Sequence, residues 1–315
     1  MDSKTYTVAI AGSTDHTVIC AEALRNDPRF TISWVLTPSP RLVGRNQLLT
    51  KNALHVWSEK HGIPTIFVEK SINEDVKILI KQQQSVDFLL VVDFGYLIPQ
   101  WLLTIPHIAP VNIHPSDLPK YRGSSPGQFT LLFGEKKSAV SIIMMNEKLD
   151  EGDLIYQEKF DVLNTWITPE FYQFAFTLIG ETLPNVLADF GSQKITATPQ
   201  PLATPTPIAR RLSREDGYIP WIILKPFMEG QNEQLEHIHA IDMSPLSKEA
   251  HATLPDWPQL IGNAVRALSP WPGVWTMVPT KNGLKRMKIL SRQEVQLDGK
   301  DVSSYALTKK LITEI

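Results

Sequence analysis

Residues 111–153 have the sequence VNIHPSDLPKYRGSSPGQFTLLFGEKKSAVSIIMMNEKLDEGD, and the rest of the chain is organised around them. Asn112 and His114 are separated by one residue, so in an extended strand their side chains point to the same face. Asp150 follows in a turn-like segment directly after the apolar run AVSIIMM. If the two apolar segments are neighbouring strands, an amide, an imidazole and a carboxylate converge at one edge of a sheet.

The segment SDLPKYRGSSPG at 116–127 separates these two predicted strands. Its Pro, Gly and Ser residues disfavour regular structure, so we interpret it as a binding loop.

The three polar side chains suit acyl transfer. An Asn amide and a protonated His both donate to an oxyanion that forms on a carbonyl group. A His side chain, with an ordinary pKa of about 6.5, also shuttles a proton from an attacking amine, and a nearby carboxylate fixes its tautomer or holds a water. Ser116 has no adjacent base, so we predict direct transfer between two bound substrates. The alternative is a turn with a hydrogen-bonded structural histidine.

As an ordered set, these motifs resemble the signature of the folate-dependent formyltransferases. The family pattern is N-x-H, then S-L-L-P-x-x-R-G, a helix, and a strand ending in L-D-x-G. Its counterparts here are Asn112-Ile113-His114, Ser116-Asp117-Leu118-Pro119, Arg122-Gly123 and Leu149-Asp150-Glu151-Gly152. Asp117 departs from the pattern, which has Leu at this position, and adds a carboxyl group to the loop.

The resemblance implies roles for these residues. Asn112, His114 and Asp150 would be catalytic, and 10-formyltetrahydrofolate would be the formyl donor and co-substrate, with no metal. The predicted folate-binding residues lie in two segments and are Phe94, Gly95, Tyr96, Leu97, Ser116, Asp117, Leu118 and Pro119. For Phe94, Tyr96 and Leu97 the alternative is plain core packing.

The residues before this stretch alternate between short apolar strands and helical segments. Strands are predicted at 6–12, 30–37, 63–68 and 86–94, and helices at 17–26, 51–61 and 73–84. This alternation predicts an α/β fold with a Rossmann-like, doubly wound parallel sheet, whose ligands lie at the carboxyl ends of the strands. The first turn, AGSTDHT, lacks G-x-G-x-x-G, which argues against a dinucleotide site. A later helix starts at Thr168, and we expect Pro184 to kink or break it.

The length of 315 residues predicts two domains. We expect a catalytic domain at 1–194, a Pro-rich extended linker at 195–210 and a C-terminal domain at 211–315. Residues 212–221 and 264–276 resemble the start of the second domain of methionyl-tRNA formyltransferases, which is a small OB-like β-barrel. Only about forty residues follow Trp275, so we expect a reduced barrel, with an insertion at 222–260.

The loop at 38–50, PSPRLVGRNQLLT, partly resembles the basic loop P-x-R-x-x-G-R-G of methionyl-tRNA formyltransferases. Asn46 and Gln47 replace the expected Gly and Lys. The resemblance implies that the acceptor is the α-amino group of initiator methionyl-tRNA. The predicted tRNA contacts are Arg41 and Arg45 of this loop and Lys285, Arg286 and Lys288 of a predicted hairpin. Without the resemblance, these side chains would be interpreted as solvated charge.

Two other functions stay open. A sugar-nucleotide N-formyltransferase shares the catalytic motif, although the two Arg residues of the 38–50 loop favour tRNA. A tRNA- or folate-binding protein without catalysis is the third hypothesis, and the intact trio argues against it.

Composition limits the kinds of partner, covalent cross-link and cellular location that the chain can have. The net charge of −2 gives no overall basic surface, so any nucleic-acid contact must be local. Cys20 is the only cysteine, which excludes a disulfide within one chain and a thiolate metal site. The sequence starts without a signal-peptide pattern, and no apolar run approaches the ~18–20 residues of a membrane span. We therefore expect a cytoplasmic location without a membrane partner, and we also expect a monomer.

Overall fold

The computed structural model describes residues 4–43, 47–235, 246, 249–250, 252 and 256–312. They form two compact units. Unit 1 comprises Met1–Arg122, Ala139–Phe160 and Tyr172–Pro207, and unit 2 comprises Gly123–Ser138, Asp161–Phe171 and Ile208–Ile315.

The described strands and helices follow one another along the chain. The strands are β1 (Tyr6–Gly12), β2 (Phe30–Pro38), β3 (Arg41–Val43), β4 (Leu48–Thr50), β5 (Thr65–Val68), β6 (Phe88–Val92), β7 (Ala109–His114), β8 (Lys137–Met144), β9 (Leu154–Asp161), β10 (Val274–Thr280), β11 (Gly283–Ile289), β12 (Glu294–Leu297) and β13 (Ser303–Ser304). The helices are α1 (Asp15–Arg25), α2 (Ala53–His61), α3 (Glu74–Lys81), α4 (Gln100–Leu103), α5 (Pro126–Leu132), α6 (Thr168–Gly191), α7 (Trp221–Glu229), α8 (Trp257–Ala267) and α9 (Tyr305–Thr308).

A seven-stranded sheet forms the centre of unit 1, with the strand order β5-β2-β1-β6-β7-β8-β9. The pairs β5–β2, β2–β1, β1–β6 and β6–β7 are parallel, and β8 runs antiparallel to β7. Every residue of β6 is buried, as expected for a strand covered on both faces. The predicted α/β fold with a mostly parallel sheet is confirmed.

The carboxyl ends of β1 and β6 are joined tightly to the start of α1. Thr17 donates from its hydroxyl to the carbonyl oxygen of Val92 at 2.9 Å. A Cβ added at Gly12 would lie 2.4 Å from both Thr17 and that oxygen, so only glycine fits there. This contact fixes one end of the sheet edge where ligands of such folds bind.

Two predicted features of unit 1 differ from the structure. The 38–50 loop contains a hairpin in which β3 pairs with β4, and Arg45 lies outside the described residues. Helix α6 continues through Pro184 to Gly191 rather than breaking. Pro184 is buried, as are Leu183 and Leu187, so packing on both sides of the proline stabilises the helix.

Unit 2 contains a four-stranded antiparallel sheet with the order β10-β11-β12-β13. The predicted C-terminal β structure is therefore present as an antiparallel sheet. Helix α7 and a 3₁₀ turn at Asn232–Leu235 occupy the first part of the predicted 222–260 insertion, and most of residues 236–255 lie outside the described ranges. None of the helices within those ranges combines the length and apolar character needed to cross a membrane.

A buried carboxylate anchors the start of the C-terminal part of unit 2. Asp216 is only 1% exposed and accepts hydrogen bonds from both terminal nitrogens of Arg210, at 2.6 and 3.0 Å. The amide N–H of Ser213 donates to the same carboxylate at 2.6 Å. Burial acts to raise the pKa of Asp216, but the hydrogen bonds from Arg210 and Ser213 outweigh it and hold the pKa below its ordinary value.

We expect Asp216→Asn to lower the free energy of unfolding by about 1.5–3 kcal/mol at neutral pH, because charge-assisted hydrogen bonds are lost. A lowered pKa contributes stability that is complete above the ordinary value of about 3.9 and disappears as pH falls through the folded value. Urea unfolding between about pH 7 and pH 3 should therefore show a shrinking difference from the wild type. The control is Asp161→Asn, which removes an exposed ion pair and should change little. A difference that is independent of pH would contradict the assignment.

Candidate active site

Strand β7 places Asn112 and His114 at the carboxyl edge of the sheet. Asn112 pairs with Val91 of β6 on one side and Ile143 of β8 on the other, and His114 pairs with Ser141. Asn112 is half-buried, and its side chain makes no hydrogen bond to any described residue. The amide is therefore available to a ligand.

The imidazole of His114 has one occupied nitrogen and one that faces the site. Its Nε2 lies 3.1 Å from the carbonyl oxygen of Tyr121, and since a carbonyl only accepts, Nε2 must carry the hydrogen. Nδ1 lies 3.7 Å from Oδ2 of Asp150, slightly beyond hydrogen-bond distance. The side chain is 5% exposed, and Nδ1 is the ring nitrogen that is left available to the site. The structure therefore brings the side chains of His114 and Asp150 together, as the sequence predicted.

The backbone conformation at Tyr121 determines the position of the carbonyl oxygen that accepts a hydrogen bond from His114. Tyr121 has φ 54°, an uncommon value for a non-glycine residue. Its N–H donates to the hydroxyl of Thr206 at 2.7 Å, and Thr204 donates to the carbonyl oxygen of Pro119 at 2.8 Å. The 195–210 segment, predicted as an extended linker, thus also holds the 116–122 loop in place.

The Asp150 loop turns sharply after β8. Asp150 has φ 53°, so the chain adopts a left-handed conformation at the predicted catalytic carboxylate. A Cβ added at Gly152 would lie 1.8 Å from the carbonyl oxygen of Met144. The L-D-E-G motif therefore ends in glycine because the loop passes directly against the end of β8.

Buried hydrogen bonds of Arg122 and Gln200 hold the Asp150 loop in place. Arg122 is 2% exposed and donates to Oε1 of Gln200 at 3.0 and 3.3 Å and to the carbonyl oxygens of Pro201 and Leu202 at 2.7 and 3.1 Å. The amide nitrogen of Gln200 donates to the carbonyl oxygens of Asp150 at 2.9 Å and Gly152 at 2.6 Å. The sequence motif includes Arg122, whereas nothing in the Pro-rich segment at 195–210 marks Gln200 as a residue of the site.

The predicted folate segments occupy two different settings. Phe94 and Tyr96 are partly buried against the sheet core, with their ring centroids 5.3 Å apart, whereas Leu97 is 88% exposed. The hydroxyl of Ser116 donates to the carbonyl oxygen of Lys120 at 2.7 Å, so this side chain stabilises its own loop. The atypical Asp117 lies 3.8 Å from the ammonium of Lys159. The folate roles of these residues stay predictions.

The predicted tRNA-binding residues are divided between the units. In unit 1, Arg41 is exposed on β3. In unit 2, Lys285 pairs with Asp298 at 3.0 Å, Arg286 lies over the Trp275 ring at 4.5 Å, and Lys288 donates to the Pro270 carbonyl oxygen at 2.8 Å. A groove of about 240 Å³ is lined by Arg214, Pro270, Trp271, Pro272, Arg286, Lys288, Gln296 and Gly299.

The charges in this groove act on one another. Burial, and secondly the charge of Arg214, lower the pKa of Arg286, while burial and then the charge of Arg286 lower the pKa of Lys288. Like charges held this close favour an anionic ligand.

No group of three His, Cys, Asp or Glu side chains within the described ranges is arranged to hold a metal ion.

Known proteins resemble the chain over most of its length. A sequence model of the family described as "Formyl transferase" matches residues 5–187. A methionyl-tRNA formyltransferase of Ehrlichia ruminantium (strain Welgevonden) is 34% identical over 155 residues, which are 49% of this chain and only 51% of that protein. A second, from Rickettsia massiliae (strain Mtu5), is 28% identical over 277 residues, which are 88% of this chain and 78% of that protein.

Solved structures agree with the fold described above. The methionyl-tRNA formyltransferase of Clostridium thermocellum superimposes with a TM-score of 0.55 at 15% identity, covering 95% of this chain and 98% of that chain. Sugar N-formyltransferases are among the other solved structures with a similar fold. At these identities the likeness concerns the fold alone. The sequence match spans more than half of the chain, and it includes the strand and the loop that carry Asn112, His114 and Asp150, so this protein belongs to the formyl transferase family.

Proposed function

We propose that this protein transfers the formyl group of 10-formyltetrahydrofolate to the α-amino group of methionyl-tRNA. The observation that carries the proposal is the His114–Asp150 pair beside the available amide of Asn112, at the carboxyl edge of a formyl transferase sheet. The relatives named methionyl-tRNA formyltransferase support the choice of acceptor. We further propose that it acts as a monomer in the cytoplasm.

The site supports a direct transfer in which the amine nitrogen attacks the formyl carbon. A carbon–nitrogen bond forms, and negative charge develops on the formyl oxygen. The Asn112 amide and the protonated Nδ1 of His114 donate to this oxyanion. The bond from the formyl carbon to N10 of the folate then breaks, and N10 takes up a proton while the attacking nitrogen loses one. Asp150, 3.7 Å from Nδ1, is placed to relay that proton.

The donor would lie along the carboxyl ends of β6 and β7. Gly95 and Leu97 are exposed after β6, which leaves the backbone groups of this segment accessible to a planar, hydrogen-bonding ligand. The 116–119 segment follows His114 after Pro115 and is held by the hydroxyls of Ser116 and Thr204. The proposed oxyanion donors are an amide and an imidazole, so the step needs no metal.

The acceptor tRNA would be held by local basic groups, because the chain as a whole has a net charge of −2. Arg41 on β3 provides a guanidinium group, which pairs bidentately with phosphates, and the sequence places Arg45 in the same 38–50 loop. In unit 2, the groove that contains Arg286 and Lys288 is also lined by Trp271. This side chain is 57% exposed, so its ring offers a face on which a base can stack.

The proposed function is tested by formyl-transfer assays with methionyl initiator tRNA and with an amino-sugar nucleotide side by side. We expect the tRNA to be formylated far faster. Arg286→Gln should weaken tRNA use and reduce the salt-dependence slope by about one, because one phosphate contact is lost. The control is Lys300→Gln, an exposed lysine beyond β12. Preferential use of the amino sugar would instead identify a sugar N-formyltransferase.

The trio should act as one catalytic unit. We expect Asn112→Ala, His114→Ala and Asp150→Asn each to lower kcat by about 10²–10³-fold, since oxyanion donation or proton relay is lost. Tetrahydrofolate affinity should change little, and double variants should be non-additive. His107→Ala, which alters an exposed histidine just before β7, is the control. Any member whose variant turns over at the wild-type rate has no part in the mechanism.

Gln200 should act through the Asp150 loop. Gln200→Leu removes the two hydrogen bonds to the carbonyl oxygens of Asp150 and Gly152 and also the acceptor of two hydrogen bonds from Arg122, while the side chain keeps a similar size. We expect kcat to fall by at least about tenfold, because small misplacements of catalytic groups are costly, with little change in the KM for folate. The control is Gln173→Leu on the exposed face of α6. An equal loss of kcat in both variants would refute this positioning role.

A further inference from the structure

A second carboxylate–imidazole pair lies on the same sheet edge as the proposed catalytic trio. Nδ1 of His16 lies 2.7 Å from Oδ2 of Asp93. Asp93 directly follows β6, and His16 lies in the first turn of α1, directly after β1. Val91, two residues before Asp93, pairs with Asn112, and neighbouring strands are about 4.8 Å apart. The pair therefore lies one strand away from the proposed oxyanion donors.

The pair is held rigidly from several directions. The hydroxyl of Thr14 donates to Oδ2 of Asp93 at 3.0 Å, and the hydroxyl of Ser13 donates to its carbonyl oxygen at 3.2 Å. The imidazole of His16 stacks on the ring of Phe176, with centroids 4.6 Å apart and planes 8° apart. Asp93 has φ 47°, a strained value for a residue with a side chain, and such strain clusters at functional sites.

The Asp93 carboxylate uses one of its two oxygens in these contacts. Nδ1 of His16 and the Thr14 hydroxyl both bind Oδ2 of Asp93, whereas Oδ1 has no hydrogen-bond partner among the described residues. The Asp93 side chain is 30% exposed, so a ligand can reach its carboxylate. The ring of Tyr172 lies 5.7 Å from that of His16 and extends the aromatic wall formed by Phe176. An oriented carboxylate oxygen beside aromatic rings suits an amine or ammonium group.

We propose that Asp93 and His16 form the subsite that receives the amine of the acceptor, with Oδ1 of Asp93 accepting a hydrogen bond from the attacking nitrogen. The inference rests on the proposed function only in that the reaction is the formylation of a primary amine. A methionyl ester and an amino sugar both present such a group. The amine would then be oriented one strand away from the formyl oxygen held by Asn112 and His114, as attack requires.

The alternative is that the pair is a purely structural contact between the start of α1 and the end of β6. Loss of such a contact would reduce stability and folate binding as much as use of the acceptor. An amine subsite would affect the acceptor selectively, and this difference decides the test.

The experiment measures steady-state kinetics of Asp93→Asn and His16→Asn with methionyl initiator tRNA and with an amino-sugar nucleotide. We expect Asp93→Asn to lower kcat/KM for whichever acceptor the wild type uses by about tenfold to a hundredfold, because a charge-assisted hydrogen bond is lost. Binding of tetrahydrofolate should stay within about twofold of the wild type. His16→Asn should show a smaller effect, since it acts through Asp93.

The matched control is Asp87→Asn, at the opposite end of the same strand. Oδ2 of Asp87 accepts hydrogen bonds from the N–H and hydroxyl of Thr7 at 2.8 and 3.0 Å, so its loss tests for a general effect on the sheet. Unchanged acceptor kinetics in Asp93→Asn, or an equal loss in Asp87→Asn, would overturn the subsite.

A failure of the proposed function is distinguishable from a failure of the subsite. If the wild type formylates neither acceptor, the proposed function is wrong. The subsite is then decided by titrating methionine methyl ester into the tetrahydrofolate-bound protein. Weaker binding of this amine to Asp93→Asn than to the wild type supports the subsite, and equal binding overturns it.

Discussion

The buried contact between Arg122 and Gln200 is the constraint on which the site depends. The Arg122 guanidinium connects the 116–122 loop to the segment at 200–202 by hydrogen bonds. The amide nitrogen of Gln200 then donates hydrogen bonds to the Asp150 loop. A buried charge is costly unless its donors are satisfied, and here two backbone carbonyls and a side-chain amide satisfy them. The carboxylate of Glu151 lies at the longer distance of 3.9 Å from the guanidinium, so it is not required for this. Arginine suits this position better than lysine, since its planar fork reaches three acceptors at fixed angles.

The same contact explains why an irregular Pro-rich segment matters to a site built on a sheet. Segments without helix or strand must satisfy their backbone groups elsewhere. Residues 198–206 do so by pairing Thr198 with Leu154 and by exchanging hydrogen bonds with the loop beside His114. The His114 tautomer depends on this arrangement, because the Tyr121 carbonyl that receives Nε2 is positioned partly by Thr206. A segment that only connected two folded parts would not need these contacts.

The sequence predicted the elements that depend on local patterns. Continuous apolar runs identified β1, β2, β5 and β6 to within two residues at each end, and the ordered N-x-H and L-D-x-G motifs identified the residues that form the His114–Asp150 pair. Gln200, Thr206 and the Asp93–His16 pair were not found, because each acts through a partner 50 or more residues away in the chain. Pro184 does not break α6 for a related reason, since packing outweighs a local preference.

Positive φ angles show where this sheet edge stores strain. Asp93, Tyr121 and Asp150 all adopt values near 50°, and each lies in a segment at the carboxyl edge of unit 1. Two of them carry a carboxylate aimed at a histidine, and the third presents the carbonyl oxygen that fixes a histidine tautomer. Each such residue costs of order 1–3 kcal/mol and persists only where the surroundings over-determine it. The tightly packed strands β1, β6 and β7 supply that support, because their buried backbones cannot shift to relieve the strain. A chain that needed only to bind a ligand at this edge would gain stability by relaxing these positions, whereas a catalyst needs charged and hydrogen-bonding groups held in place before the substrates arrive.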